Sequence, residues 1–215
     1  MRYTSVLFDL DGTLLDTLGD LTAAMNRTLT RHGLPERTRQ QMRAALGNGA
    51  RRLMELSVPT GTDSALFETL LAEYNADYAA HCRIETAPYP GVAALLRALH
   101  AQGCKLAIVS NKPDEAVRAL RADFFAGAVP IAVGETAAIR RKPAPDMLLA
   151  AMEQLGADPD KTVFVGDSEV DIATARAADL PCISVLWGFR DRDVLERAGA
   201  QQYAADIAQL QALLG

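Results

Sequence analysis

The stretch VLFDLDGT, residues 6–13, joins an apolar run to two carboxylates that stand one residue apart. Val6–Phe8 has the apolar character of a buried strand, and Gly12 supplies a turn shortly after it. A strand that ends in Asp9 and Asp11 places negative charge at its carboxyl end, where open α/β sheets bind ligands. Paired carboxylates there suit a metal site or nucleophilic chemistry, although an Asp-Gly turn with solvated side chains gives the same pattern.

The composition of the 215-residue chain is typical of globular proteins, with 49% apolar and 23% charged residues. The net charge of −5 argues against nucleic-acid binding as the main function. No apolar run approaches the ~20 residues of a membrane span, and Asp9 comes too early for a signal peptide. Cys82, Cys104 and Cys182 form no C-x-x-C motif and are typical of reduced thiols. These features predict a cytoplasmic protein without nucleic-acid or membrane partners.

Apolar runs that favour buried strands alternate along the chain with helical periodicity. The predicted strands are Val6–Phe8, Leu106–Val109, Pro130–Val133, Val163–Val165 and Cys182–Val185. The predicted helices between the later strands are Val92–Leu99, Ala116–Leu120, Met147–Leu155 and Ile172–Ala178. Because strand–helix–strand repetition sets parallel strands side by side, the pattern predicts an α/β fold with helices on both faces of a mainly parallel sheet.

Residues 16–83 contain helical patterns but no convincing strand. The helices predicted there are Leu18–Arg31, Arg37–Leu46, Ala50–Leu56 and Ser64–Ala80. The pattern predicts a helical cap domain at residues 16–83, inserted into a core formed by residues 1–15 and 84–215. A cap over the carboxyl edge of the sheet would exclude water from a site there, whereas in the alternative these helices pack directly on the sheet.

Polar residues stand at equivalent points in four segments of the chain. They are Asp9 and Asp11, Ser110 and Asn111, Lys142, and Asp167 and Asp171. Because the carboxyl ends of parallel strands share one edge of the sheet, these groups can converge. Crowded carboxylates need counter-charge, which Lys142 and a divalent cation would supply, and all-oxygen ligands favour Mg²⁺. Such a site is suited to a phosphoryl group.

Each segment also has a purely structural explanation. Ser110 and Asn111 could cap a helix, and Lys142 could be a solvated loop cation. Asp167 could belong to a plain turn, and Asp171 could be a first-turn acid favoured by the helix dipole. Since four such coincidences in the right order are improbable, we favour one shared site.

These segments resemble the four sequence motifs of the haloacid dehalogenase superfamily, and of its phosphatases in particular. Residues 9–13 resemble the first motif, Ser110-Asn111 the second, Lys142 the third, and Gly166-Asp167 with Asp171 the fourth. The resemblance covers the whole chain. It implies a Rossmann-like parallel core with an inserted helical cap.

The resemblance also implies a role for each residue. Asp9 would attack phosphorus and become an aspartyl phosphate, while Asp11 would protonate the leaving oxygen and then activate water. The residues implied to bind the phosphoryl group are Ser110, Asn111 and Lys142. The implied ligands of Mg²⁺ are Asp9, the main-chain carbonyl of Asp11 and Asp167, with Asp171 supporting or ligating.

Hydrolysis of a small anionic phosphoester is the reaction that the resemblance favours. Dehalogenases lack the second aspartate of the first motif, which is present here as Asp11. Phosphonate-cleaving relatives use a cap lysine, and residues 16–83 contain none. The alternatives are a sugar-phosphate mutase on the same scaffold, a phosphatase for a nucleotide or sugar phosphate, and a non-catalytic binding protein. Concentrated, mutually repelling carboxylates argue against the last of these.

The cap sequence suggests a substrate. Gly47–Ala50 followed by Leu53, and Trp187-Gly188 in the core, resemble phosphoglycolate phosphatases. Seven arginines and one acid lie between Arg27 and Arg52, so this cap face either attracts an anionic substrate or is simply solvated. Glycine N–H groups can approach an anion closely, and an arginine can bind a substrate carboxylate. The predicted specificity residues are Gly49, Ala50 and Arg51.

Overall fold

The computed structural model describes residues 2–215. Its strands are β1 Ser5–Phe8, β2 Leu15–Asp16, β3 Ala87–Pro88, β4 Lys105–Pro113, β5 Ile131–Glu135, β6 Thr162–Gly166, β7 Cys182–Val185 and β8 Gln202–Ala204. Its α-helices are α1 Leu18–Arg31, α2 Arg39–Ala45, α3 Gly49–Ser57, α4 Ser64–His81, α5 Val92–Ala101, α6 Asp114–Phe125, α7 Asp146–Leu155, α8 Glu169–Ala177, α9 Arg192–Arg197 and α10 Ile207–Leu214. Among the helices of residues 2–215, none combines the length and the apolar character that crossing a membrane requires.

The main sheet is parallel, with the strand order β5-β4-β1-β6-β7-β8. Phe8 at the end of the central strand lies opposite Ile108 of β4 and Val165 of β6. The Asp9 N–H extends this pairing by donating to the Val165 carbonyl at 2.9 Å. After β1 the chain fills one side of the sheet and then crosses to the other, so Asp9 emerges at a topological switch point, where α/β sheets bind ligands.

A buried apolar cluster fixes one face of this sheet. Because side chains alternate along a strand, Leu7, Ala107 and Val109 point to the same face. They pack in a cluster with residues of two covering helices: Met147, Leu148, Ala151 and Met152 of α7, and Ala175 of α8. Helices α5 and α6 also pack against the sheet, and both contact β4. The predicted α/β class with a parallel sheet is confirmed.

The chain divides into two compact units. The first contains the described residues up to Leu15 together with Pro88–Gly215, and the second is Asp16–Ala87, which holds α1 to α4. Within the first unit, the points where the chain leaves and returns are hydrogen-bonded to each other. The Tyr89 N–H donates to the Leu14 carbonyl at 3.1 Å.

The return to the first unit comes at Pro88, somewhat later than residue 84, where the sequence pattern had suggested it. Asp20 of α1 explains the difference. Its buried carboxylate accepts main-chain N–H bonds from Ile84 at 3.0 Å, Glu85 at 2.9 Å and Thr86 at 2.9 Å. These bonds tie the segment after α4 to the helical unit, although the segment has no helical periodicity of its own.

Candidate active site

Three aspartates meet at the carboxyl edge of the central strands. Asp9 follows β1, Asp167 follows β6, and Asp171 lies in the first turn of α8. One carboxylate oxygen from each lies within 4.8 Å of the others. The residues are buried, with 7%, 1% and 0% of their surface exposed. The structure therefore brings together three acids that are up to 162 residues apart in the sequence (171 − 9).

Lys142 is the positive member of this cluster and is only 2% exposed. Its Nζ lies 2.7 Å from Asp9 Oδ1 and 2.7 Å from Asp171 Oδ1. Burial disfavours the charged ammonium, but the Asp171 and Asp9 carboxylates outweigh burial and raise the pKa of Lys142. Lys142 is therefore a fixed cation in the site and is not the solvated loop residue that the sequence had left as an alternative.

Asp171 is held in place by the start of α8. Its Oδ2 accepts the Ser168 N–H at 3.0 Å and the Ser168 hydroxyl at 2.6 Å, and the Ser168 side chain in turn caps the helix. This reciprocal arrangement is a capping box, in which an N-cap residue and the third helical residue satisfy each other. With Oδ2 bound to Ser168, Asp171 directs Oδ1 at Lys142. The Ser-x-x-Asp spacing is a signal that sequence reasoning had not used.

Asp167 is oriented by the first motif and by the segment after β7. Its Oδ1 accepts the Thr13 hydroxyl at 3.1 Å, and its Oδ2 accepts the Phe189 N–H at 2.7 Å. Two glycines make room for it: a Cβ at Gly12, where φ is +86°, or at Gly188 would collide with the Asp167 side chain. Sequence reasoning had missed these contacts because they join residues that are 154 and 22 positions apart in the chain.

The cluster has more negative than positive charge. Burial and the neighbouring carboxylates of Asp171 and Asp167 raise the pKa of Asp9 well above its usual value, in spite of the Lys142 ammonium. Burial and Asp171 likewise raise the pKa of Asp167 to about 7. A divalent cation would relieve this repulsion, and the donors are all oxygen atoms, which hard cations prefer. The residues therefore fit a metal site.

The second motif contributes buried polar groups toward the end of β4, the strand beside β1. Ser110 and Asn111 are 2% and 5% exposed, and they lie within β4, which runs on to Pro113 instead of ending before them. The Asn111 amide donates to the Lys142 carbonyl at 3.0 Å, and so it ties the second and third motifs together. Asp11 is partly exposed, and its Oδ1 lies 3.2 Å from Nζ of Lys112, a residue that had not been predicted to belong to the site.

The predicted specificity residues lie at the start of α3 in the second unit. The Arg51 guanidinium forms two hydrogen bonds of 2.8 Å with the Glu68 carboxylate. The other arginines between Arg27 and Arg52 for which the structure gives partners are also paired within this unit. Arg27 and Arg31 bind Asp77, Arg37 binds the Ser57 carbonyl, Arg39 binds Glu85, and Arg52 binds Glu55. Much of the predicted positive charge is therefore neutralised locally.

Comparison with known proteins identifies the family. A sequence model of the haloacid dehalogenase-like hydrolases matches residues 6–185. The chain belongs to this family, as the resemblance of its motifs predicted.

The chain is similar to curated proteins and to a solved structure over most of its length. A phosphoglycolate phosphatase of Xanthomonas campestris pv. campestris is 35% identical over 192 residues, which cover 88% of this chain and 86% of that protein. An N-acetylmuramic acid 6-phosphate phosphatase of Pseudomonas aeruginosa is 35% identical over 190 residues, which cover 88% and 84%. A crystal structure from Lactobacillus delbrueckii subsp. bulgaricus has a TM-score of 0.94 and 36% identity, and covers 100% of this chain and 99% of that chain.

The pKa of Asp167 predicts how stability depends on pH when metal is removed. The folded protein holds a proton on Asp167 up to about pH 7, whereas the unfolded chain loses it near pH 4. The contribution of Asp167 to the free energy of unfolding should therefore fall as the pH rises from about 4 to about 7. Urea denaturation in the presence of a chelator at several pH values measures this slope. We expect a shallower slope for Asp167→Asn, and equal slopes would contradict the assignment.

Proposed function

We propose that this protein is a Mg²⁺-dependent phosphatase that hydrolyses 2-phosphoglycolate through an aspartyl phosphate on Asp9. The chain is a phosphoric monoester hydrolase, since it belongs to the haloacid dehalogenase-like hydrolases and its curated relatives are phosphatases. The observation that carries the mechanism is the buried cluster of Asp9, Asp167, Asp171 and Lys142 at the end of the central strand.

The metal would be held by the carboxylates of Asp9, Asp167 and Asp171, together with the main-chain carbonyl of Asp11. When bound, Mg²⁺ would supply the positive charge that lets an ionised carboxylate approach a phosphate. The raised pKa values of Asp9 and Asp167 support this assignment, because burial and like charges disfavour both ionised carboxylates and a bound cation would favour them. Mg²⁺ is preferred to softer metals because the three candidate ligands are carboxylates, whose oxygen atoms suit hard cations.

In the first half-reaction, a carboxylate oxygen of Asp9 attacks phosphorus and the bond from phosphorus to the ester oxygen breaks. Lys142 contacts Asp9 directly, so its ammonium is well placed to balance charge on the phosphoryl oxygens. The hydroxyl of Ser110 supplies a further donor. Asp11, two residues after the nucleophile, gives its proton to the departing ester oxygen, which leaves as an alcohol.

In the second half-reaction, water hydrolyses the aspartyl phosphate. Asp11, now a carboxylate, accepts a proton from the water as its oxygen attacks phosphorus. The bond between phosphorus and the Asp9 oxygen breaks, which releases inorganic phosphate and restores the Asp9 carboxylate. Asp11 returns to its protonated form, ready for the next substrate.

The first prediction concerns the nucleophile. Asp9→Asn should fold normally and lose turnover, because an amide cannot form the acyl phosphate. Phosphate release and acid-trapped phosphoenzyme should both disappear in this variant. Asp160→Asn is the matched control, since it makes the same change at an exposed position, and it should behave as the wild type. Substantial turnover by Asp9→Asn would rule out the covalent role.

The second prediction concerns the metal. After chelation, phosphate release should stop and should return when Mg²⁺ is added. Ca²⁺ should restore it poorly, because Ca²⁺ prefers more ligands and longer bonds, and would misplace the nucleophile relative to phosphorus. Steady-state assays on the chelated enzyme with each cation make the comparison. Full activity without any divalent cation would refute the proposed metal role.

The substrate proposal rests on the relatives named phosphoglycolate phosphatase and on the resemblance of residues 47–50 and 187–188 to that subgroup. A second candidate is a sugar phosphate, because the N-acetylmuramic acid 6-phosphate phosphatase is equally identical to this chain at 35%. A sugar-phosphate mutase would instead isomerise its substrate without net phosphate release. A phosphate-release assay across these compounds separates the three.

The third prediction is that 2-phosphoglycolate exceeds esters with uncharged leaving groups by at least about tenfold in kcat/KM, the size of one charged contact. Arg51→Ala tests the sequence-based prediction for that residue. If Arg51 binds the substrate carboxylate, the substitution shrinks the preference more than it lowers hydrolysis of an aryl phosphate. An unchanged preference would fit the pairing of Arg51 with Glu68 and would remove Arg51 from substrate recognition. A clear preference for a sugar or nucleotide phosphate would overturn the proposed substrate.

A further inference from the structure

Lys112 is a buried lysine that the proposed mechanism does not use. It lies near the end of β4, two residues after Ser110, and is 7% exposed. Lysine is almost never fully buried unless it is paired, because its ammonium is strongly hydrated in water. Nζ of Lys112 lies 3.2 Å from Oδ1 of Asp11, the proposed acid and base.

Stability gives a weak explanation for this ion pair. Removing two charges from water offsets much of the attraction between them, so a buried pair often contributes little to folding. The two partners are also unequally buried: the side chain of Lys112 is 4% exposed and that of Asp11 is 20% exposed. The Asp11 Oδ1 that faces the ammonium is buried and makes no hydrogen bond, although the Asp11 side chain as a whole is 20% exposed. The ammonium is thus held beside a part-exposed carboxylate without a hydrogen bond between them, so it can also meet a ligand.

The two buried lysines of the site serve different carboxylates. Lys142 lies between Asp9 and Asp171, on the side of the nucleophile. Lys112 lies against Asp11, the residue proposed to give a proton to the ester oxygen. A group next to Asp11 is on the side of the leaving group, whereas a group next to Asp9 is on the side of the transferring phosphoryl.

We propose that Lys112 binds an anionic group of the leaving alcohol, and specifically a carboxylate on the carbon that bears the ester oxygen. This inference rests on the proposed phosphatase function and adds a specificity residue to it. The carboxylate of such a substrate is two bonds from the oxygen that Asp11 protonates, which is within reach of an ammonium in contact with Asp11. A carboxylate that is many bonds from the ester oxygen would not lie beside Lys112 when the ester oxygen is at Asp11.

This assignment explains how the core can select a substrate when several arginines of the helical unit, among them Arg51, are paired with acids of that unit. The ammonium is a compact charge with three donors, so it suits a carboxylate without requiring one fixed geometry. An uncharged leaving group would gain nothing from Lys112. The preference therefore depends on the charge next to the ester oxygen.

The experiment compares 2-phosphoglycolate with ethyl phosphate, in which a methyl group replaces the carboxylate. Lys112→Met should lower kcat/KM for 2-phosphoglycolate by about tenfold or more beyond its effect on ethyl phosphate, mainly through KM. Lys112→Arg should restore part of the difference. Lys161→Met removes an exposed lysine and is the matched control, so it should leave both substrates unchanged. If Lys112→Met does not fold, Lys112→Gln removes the charge while keeping a polar end.

Equal losses on both substrates would overturn the inference, because a residue that only orients Asp11 affects every ester alike. The proposed phosphatase function would survive that result. A wild-type enzyme that releases phosphate from neither compound, nor from other phosphomonoesters, would overturn the proposed function itself. A further check uses the wild type alone. Glycolate should inhibit ethyl phosphate hydrolysis competitively and its neutral analogue glycolamide should not, and equal inhibition by the two would count against a cation on this side of the site.

Discussion

The site depends on one interaction, the placement of the Lys142 ammonium between the carboxylates of Asp9 and Asp171 at 2.7 Å from each. Without it, three buried acids would repel one another at the end of the central strand. The loop before α7, the end of β1 and the start of α8 must all keep their positions for this contact to exist. Asn111, which binds the Lys142 carbonyl, and Ser168, which binds Asp171, are explained by the same requirement.

The parts of the fold that follow from local sequence patterns could be predicted. Val6–Phe8 and Val163–Val165 are continuous apolar runs, and such runs indicate the fully buried strands of a parallel sheet. The convergence of Asp9, Lys142, Asp167 and Asp171 also follows from sequence, because parallel topology brings strand ends to one edge. By contrast β8 could not be predicted, because a strand of three residues is too short to show a periodicity. Two of the three, Gln202 and Tyr203, also carry polar groups.

The features that sequence reasoning missed depend on partners distant in the chain. The pairing of Arg51, a predicted specificity residue, could not be foreseen because its partner Glu68 lies 17 residues away on another helix. The compact helical unit extends to Ala87, beyond the predicted residue 83, because three main-chain N–H groups bind Asp20, which no local pattern reveals. The contact of Lys112 with Asp11 joins residues 101 positions apart, which no local pattern reveals. In each case the sequence contains both residues but does not show that they meet.

The hydrogen bond between the Tyr89 N–H and the Leu14 carbonyl has a consequence for how this chain was assembled. This bond joins the two points of the hydrolase core between which the helical unit is inserted. For the core, residues 16–87 are therefore equivalent to one long loop whose ends are held together by the core itself. The entropy of closing a loop grows only slowly with its length, so the inserted segment can be lengthened, shortened or exchanged at little thermodynamic penalty. Evolution can therefore replace the insert while the cluster of Asp9, Asp167 and Asp171, which lies outside it, keeps its geometry. One scaffold can then diversify by modular substitution.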